Sequence, residues 1–215
     1  MPDIFSLLLE KYQTSGKPRF LLLIGGCSRS GKSTLSNVLQ QKFSELGISA
    51  IVVNLDNWLL GIEERTGKET VRERYKYAQI VEALRGLMTG KEVHPPVYDP
   101  KTRRIVQKRG KNTLFLDSGV CIVDGVVALD IPELRTLSDF NIYTAVPDEI
   151  RRERLMDFYL NFKNRSLEET EKIIGERESE EVIIVKETIT YADIIFDSYE
   201  QKYNIPRDSR YYNTQ

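Results

Sequence analysis

A chain of 215 residues, 40% hydrophobic and 29% charged, is long enough to bury one proper core and too short for two ordinary domains. Its formal net charge of -1 gives no global attraction to nucleic acid or to an anionic membrane surface. Two cysteines and one histidine exclude a disulfide framework and a histidine-rich zinc site, and no apolar run approaches the roughly 20 residues needed to cross a bilayer. With acidic Asp3 in its first turn, Met1 to Glu10 does not read as a secretory signal, so the expected setting is reduced and cytoplasmic.

In chain order, Asp3 to Tyr12 reads as a short amphipathic helix with Ile4, Leu7 and Leu8 on one face, broken at Ser15 to Pro18. Phe20 to Ile24 is a short, wholly apolar run, the signature of a strand buried on both faces of a parallel sheet. A glycine-bearing loop, Gly25 to Gly31, leads into a helix from Lys32 to Leu46 that stops at Gly47. Ile51 to Leu55 is a second buried strand, followed by a polar loop from Gly61 to Glu69 and a helix from Glu73 to Met88. Pro95-Pro96 and the basic stretch Lys101 to Lys111 read as a protruding hairpin. Strands at Val120 to Val123 and Phe140 to Ala145 come next. A charged helix from Asp148, a helix from Leu167 to Lys186, a last strand at Ala192 to Phe196 and a loose tail from Gln201 complete the chain. Strands alternating with helices predict a three-layer α/β fold with a mainly parallel sheet.

Gly26-Cys27-Ser28-Arg29-Ser30-Gly31-Lys32-Ser33 matches the phosphate-loop pattern G-x-x-x-x-G-K-[ST] without a gap, and Thr34 follows it. The pattern sits after a buried strand and before a helix, where the chemistry needs it. Gly26 and Gly31 let the backbone N–H groups of the loop, including those of Ser28 and Ser30, curl around phosphate oxygens, and the helix N-terminus adds its positive end. Lys32 can reach the β- and γ-phosphates of ATP, and the Ser33 hydroxyl can ligate Mg²⁺. Asp56 and Asp124 each follow a buried strand. Carboxyl ends of parallel strands face the ligand crevice, so both acids converge on the edge that carries the loop, where phosphoryl transfer needs a base and a metal-holding carboxylate.

With these residues in place, the chain resembles the uridine kinase and phosphoribulokinase family of P-loop kinases, nearer to its uridine kinase branch. The resemblance runs from about Phe20 to Ile195 and rests on ordered blocks: the phosphate loop, Leu55-Asp56-Asn57-Trp58, Pro96-Val97-Tyr98-Asp99, Ile122-Val123-Asp124-Gly125, Asp148 to Arg154, and Tyr191-Ala192-Asp193-Ile194-Ile195. It implies a P-loop NTPase fold carrying a small hairpin and a basic lid. It also implies an ATP- and Mg²⁺-dependent kinase acting on a hydroxyl of a nucleoside, sugar or related metabolite. Asp56 would be the catalytic base, in contact with the acceptor and next to the metal, and Ser33 and Asp124 would complete the metal site. Tyr98 would touch the acceptor. Arg151, Arg154, Lys163 and Arg165 would form the lid over the ATP phosphates, a role that suits the charge dispersed in phosphoryl transfer.

Two departures from the family pattern bear on the acceptor. Arg103 stands where uridine kinases carry a histidine, and their His-Pro-Asp segment is replaced by Val71-Arg72-Glu73, in which Glu73 can stand in for a ribose-binding aspartate. Arg103 and Arg104 suit an anionic acceptor, although exposed hairpin charges read equally well.

A guanine-nucleotide switch is disfavoured by the lack of N-K-x-D after the fourth strand. The remaining rival is a regulatory or nucleic-acid-associated P-loop ATPase without small-molecule kinase activity, for which the near-neutral charge gives no support. The expected layout is an N-terminal helix and linker over 1–18, a kinase domain over 19–200 with its hairpin near 95–115 and lid near 148–170, and a tail over 201–215. Neither a nucleic acid nor a membrane is an expected partner, and self-association stays open.

Overall fold

The computed structural model of the protein describes residues 3–106 and 112–206. Its strands are β1 (Arg19–Gly25), β2 (Ala50–Asn54), β3 (Val97–Asp99), β4 (Arg104–Val106), β5 (Gly119–Asp124), β6 (Phe140–Ala145), β7 (Ile194–Asp197) and β8 (Lys202–Asn204). Six of them form one sheet in the order β2-β5-β1-β6-β7-β8. Every pairing from β2 through β7 is parallel, and β8 joins β7 antiparallel at the edge. The helices are α1 (Ile4–Ser15), α2 (Lys32–Glu45), α3 (Tyr77–Met88), α4 (Pro132–Leu137), α5 (Asp148–Asp157), α6 (Leu167–Ser179) and α7 (Glu181–Glu187). Among the described residues no helix is long and apolar enough to cross a membrane.

The period-2 alternation of the strands sorts their side chains onto two faces. Leu21 and Leu23 of β1, with Cys121 and Val123 of β5, pack against Ile80, Leu84 and Leu87 of α3, Leu134 of α4 and Val182 and Val185 of α7. Phe20, Leu22 and Ile24, with Val120 and Ile122, pack on the opposite face against Leu8 of α1 and Leu35, Leu39 and Phe43 of α2. Both faces are covered, which is why the central strands β1 and β5 carry unbroken apolar runs, and the three-layer expectation holds. A smaller cluster of Leu155, Tyr159 and Ile174 joins α5 to α6.

Several boundaries differ from the sequence reading for identifiable reasons. The second strand ends at Asn54, whose side chain accepts from the backbone N–H of Asp56 at 2.8 Å, so Leu55–Trp58 turns as a short 3-10 helix. The third helix begins at Tyr77 rather than Glu73, because the Glu73 carboxylate binds the backbone and hydroxyl of Thr70, each at 2.8 Å, and closes a local turn. The helix expected over Leu167 to Lys186 is two helices, broken at Glu180, whose backbone leaves the helical region at φ -122 and ψ -65. The tail beyond Gln201 begins with β8, which extends the sheet. The hairpin exists as the antiparallel pair β3 and β4, and the end of the basic stretch, 107–111, lies outside the described residues.

Candidate active site

β1 delivers the glycine loop to the carboxyl edge of the sheet, and α2 leaves it at Lys32 with Gly31 as its N-cap and no side-chain cap. The uncapped N-terminal amides are the donors that a phosphate needs. Gly26 sits at φ 134, and a Cβ there would come within 2.6 Å of Thr144 Oγ1. Gly31 sits at φ 98, where a Cβ would meet Ser198 at 2.8 Å. Glycine is required at both positions by conformation and by space. Ser30 is buried, and its hydroxyl is paired with that of Thr144 at 2.5 Å. Lys32 Nζ donates to the carbonyls of Gly26 at 2.9 Å and Cys27 at 2.8 Å. Burial pushes the Lys32 ammonium down from its ordinary pKa, against the pull of the Asp56 and Asp124 charges.

Asp124 ends β5, the strand between β1 and β2, and is 2% exposed. Burial raises its carboxyl above the ordinary range, opposed by the Ser33 hydroxyl and the Lys32 charge. Ser36 Oγ donates to Oδ2 at 3.4 Å, while the buried Oδ1 has no hydrogen-bond partner. A buried carboxylate oxygen left over beside a serine hydroxyl is a hard-oxygen donor set that fits Mg²⁺. No cluster of three acidic, histidine or cysteine ligands occurs among the described residues. Asp56 is exposed on the 3-10 turn after β2, and Tyr75 Oη donates to its Oδ1 at 2.9 Å.

These groups line one cleft of about 1230 Å³, large enough for a nucleotide and a second small molecule. Ser28, Gly31, Lys32, Ser33, Thr34, Asp56, Asp124, Tyr98, Arg103, Arg154 and Lys163 are all on its wall. Arg154 reaches back to the phosphate loop, donating to the Arg29 carbonyl at 3.3 Å. A separate groove of about 1020 Å³ beside α3 contains neither the loop nor either aspartate.

Not every residue picked from the sequence lines the cleft: Gly26 and Ser30 lie within the loop behind it, and Glu73, Arg104, Arg151 and Arg165 lie off its wall. Arg151 is 3% exposed and turned into ion pairs with Asp148 and Glu178, so it braces α5 against α6. Arg165 lies at the start of α6 and pairs with Glu169 at 3.6 Å. Glu73 is spent on the Thr70 turn and is exposed.

The sequence reading also passed over a buried network behind the loop. Glu181, 3% exposed, accepts from Ser28 Oγ at 2.6 Å and pairs with Arg177 at 3.2 Å. Arg177 in turn donates to Ser28 Oγ at 2.8 Å. Next to it, Glu180 pairs with Arg74 at 2.6 Å and accepts from the Val71 backbone. The break between α6 and α7 therefore fastens the phosphate loop and the segment before α3 to one another. Burial raises the Glu181 carboxyl, but Arg177 first, then Ser28, Arg74 and Lys32, hold it below its ordinary pKa of 4.5. A depressed carboxylate stabilises the fold above the unfolded pKa, and that contribution fades as pH falls through the lower folded value. Glu181→Gln should cost about 3–5 kcal/mol near neutral pH, because it leaves Arg177 without its partner, and should flatten the acid limb of stability. Urea melts of both proteins between pH 7 and pH 3 check this. Equal stability across the range would show that the pair contributes nothing.

Comparison with known proteins bears on the same stretch of chain. A family model described as Phosphoribulokinase / Uridine kinase family matches residues 21–203. A uridine kinase of Clostridium novyi (strain NT) is 26% identical over 186 residues, covering 81% of this chain and 85% of that protein. Among solved structures, a possible uridine kinase from Bacillus stearothermophilus superposes with a TM-score of 0.57 at 26% identity, over 89% of this chain and all of that one. A Silicibacter sp. TM1040 protein assigned as a fructose transport system kinase gives a TM-score of 0.71 at 20% identity, over 87% of this chain and 92% of that one, which speaks to the fold alone.

Proposed function

The chain belongs to the phosphoribulokinase / uridine kinase family, a family of ATP-dependent kinases with hydroxyl acceptors, and from that premise we propose that it moves the γ-phosphate of ATP to a hydroxyl of a sugar-like or anionic metabolite. The reading is supported by one observation above all: the uncapped N-terminus of α2, Lys32, Asp56 and Asp124 share a single cleft. The loop amides and the α2 N-terminus cradle the phosphates. Lys32 offers its charge to the β- and γ-phosphate oxygens, and Arg154 adds a second cation from α5. Asp56 takes the proton of the acceptor hydroxyl as that oxygen attacks the γ-phosphorus and the bond to the β-phosphate oxygen breaks to release ADP, and Tyr75 fixes the carboxylate's orientation. Ser33 and Asp124 would hold Mg²⁺, with Asp56 beside it, and the ion would supply charge neutralisation to the nucleotide phosphates. Tyr98 offers the acceptor a ring and a hydroxyl.

Uridine is not the acceptor in this reading. Arg103 stands in place of the family's histidine, and a guanidinium donates hydrogen bonds but accepts none. A site that lacks a matching partner for the edge of a base loses about 1–3 kcal/mol or more. ADP release should therefore be followed with ATP, Mg²⁺ and a panel of nucleosides, sugars, sugar phosphates and hydroxy acids. One hydroxyl-bearing class should stimulate release, with uridine and cytidine poor. A kcat/KM of ~10⁴ M⁻¹s⁻¹ or more for either nucleoside would overturn the acceptor assignment.

A further inference from the structure

Three cations from separate segments meet at the hairpin end of the cleft. Arg65 follows the short 3-10 turn Ile62–Glu64, Arg103 precedes β4, and Lys163 follows the π-helical turn Phe158–Phe162. All three line the cleft that holds Asp56. Arg65 Nη2 donates to Tyr98 Oη at 3.1 Å, and its Nε donates to the Leu60 carbonyl at 3.0 Å. Arg103 is fixed by its backbone: its N–H donates to the Asp99 carbonyl at 2.8 Å, and its carbonyl accepts from Ile62 N at 2.7 Å. Its φ of 60 is a left-handed conformation that costs a side-chain-bearing residue energy, so the turn holds this arginine in a set place. Lys163 Nζ lies 5.4 Å from the Phe158 ring centroid and 5.9 Å from that of Phe162.

Several carboxylates near the cluster are bound to other partners. Glu64 pairs with Lys76 at 2.8 Å, Glu180 with Arg74 at 2.6 Å and Glu181 with Arg177 at 3.2 Å. Asp99 accepts from Lys101 N at 2.8 Å and Thr102 Oγ1 at 2.6 Å. Among the described residues, Arg65, Arg103 and Lys163 form no ion pair with a carboxylate; the Arg103 charge repels that of Lys163, and the Asp99 charge attracts it from a longer distance. The cluster belongs to the Asp56 side of the site. The hairpin is tied to the Asp56 turn by the Tyr98 N–H donating to Asn57 Oδ1 at 3.2 Å, and β2 is the edge strand. The phosphate loop follows β1, with β5 between them, and has its own cations in Lys32, Arg29 and Arg154.

We infer that the acceptor is an anion, whose carboxylate or phosphate ester is gripped by Arg65, Arg103 and Lys163 while its hydroxyl faces Asp56. This rests on the kinase reading for Asp56 and the phosphate loop. Three cations gathered in a partly desolvated pocket repel each other, and two of them cannot relieve this by losing a proton. An anion removes that cost and can use the planar forks of both arginines. A neutral nucleoside does neither. Tyr98, already held by Arg65, packs along the carbon chain between the anion and the reacting hydroxyl.

Calorimetric titration of the full chain, saturated with Mg²⁺ and a non-hydrolysable ATP analogue, tests this with matched probes. D-glycerate is set against glycerol, ribose 5-phosphate against ribose, and pantothenate against its alcohol. At least one anion should bind about ten-fold or more tighter than its neutral partner, and the winning pair tells carboxylate from phosphate. Arg65→Met and Arg103→Asn, the second chosen because Asn tolerates a positive φ, should each reduce that preference about ten-fold and leave the Kd of the analogue unchanged. Three results overturn the inference: equal binding of charged and neutral partners, no anion bound at millimolar concentration, or undiminished anion preference in both variants. Failure of the analogue itself to bind would instead strike the kinase reading.

Discussion

Asp56→Asn should bind ATP within about two-fold of the parent and lose about 10²–10⁴-fold or more in kcat. The local structure supports so selective an effect. The turn that carries Asp56 is held by its backbone N–H on Asn54 Oδ1, not by its side chain. Tyr75 Oη donates to Asp56 Oδ1, and the amide oxygen of Asn can accept that bond in the same place. What Asn cannot do is take a proton from an acceptor hydroxyl or present a full charge beside the metal. The phosphate loop lies two strands away, and its backbone donors are untouched by the change. Single-turnover kinetics with a working acceptor, together with titration of an ATP analogue, separate the two quantities. Normal turnover by the Asn variant would place the base elsewhere. A parallel loss of nucleotide binding would mean that Asp56 acts chiefly through the metal.

The order of the sheet edge was legible because its parts are local. A five-residue apolar run, a gapless glycine motif and a helix start all occur within Phe20 to Ser33, and each constrains the others. Asp56 and Asp124 were found by the same logic, from the residue that ends a buried run. The segment expected to form a lid was not legible to the same depth. Arg151 and Arg154 are one helical turn apart, yet Arg151 is buried on Glu178 and Arg154 faces the cleft. Which arginine points inward depends on how α5 seats against α6, and that packing leaves no mark on a charged sequence. Glu181 was missed for a related reason. Its partner Ser28 is 153 residues away, and the run of Glu176 to Glu181 reads as a solvated helix face until the break at Glu180 turns one acid inward. The strand β8, three residues long, is too short for alternation to declare itself. The cation cluster at the hairpin was half visible through Arg103, but Arg65 lies in a stretch that reads only as polar loop.

Lys32→Ala should lower kcat by about 10²–10³-fold or more, and it should weaken ATP binding as well, in contrast to the Asp56 variant. Lys32 is buried, and its ammonium is fixed on the Gly26 and Cys27 carbonyls at 2.9 and 2.8 Å. It is the first residue of α2, and its two carbonyl bonds hold the charge against the loop. The environment sharpens its value. Burial opposes its charge, while Asp56 and Asp124 favour it, so it is a cation kept in a partly dry site by two carboxylates. There a single charge acts on developing phosphate charge far more strongly than in water. Alanine removes that charge and with it a counter-charge of Asp124, whose carboxyl burial already raises. The Asp124 pKa should climb further in the variant, which weakens its hold on the metal. Lys32→Met, which keeps most of the apolar stem, should be as inactive as Lys32→Ala, because the deficit is one of charge and not of packing. Thermal melting guards against simple unfolding, and kcat with a saturating acceptor gives the result. Full turnover by either variant would remove Lys32 from the machinery of transfer.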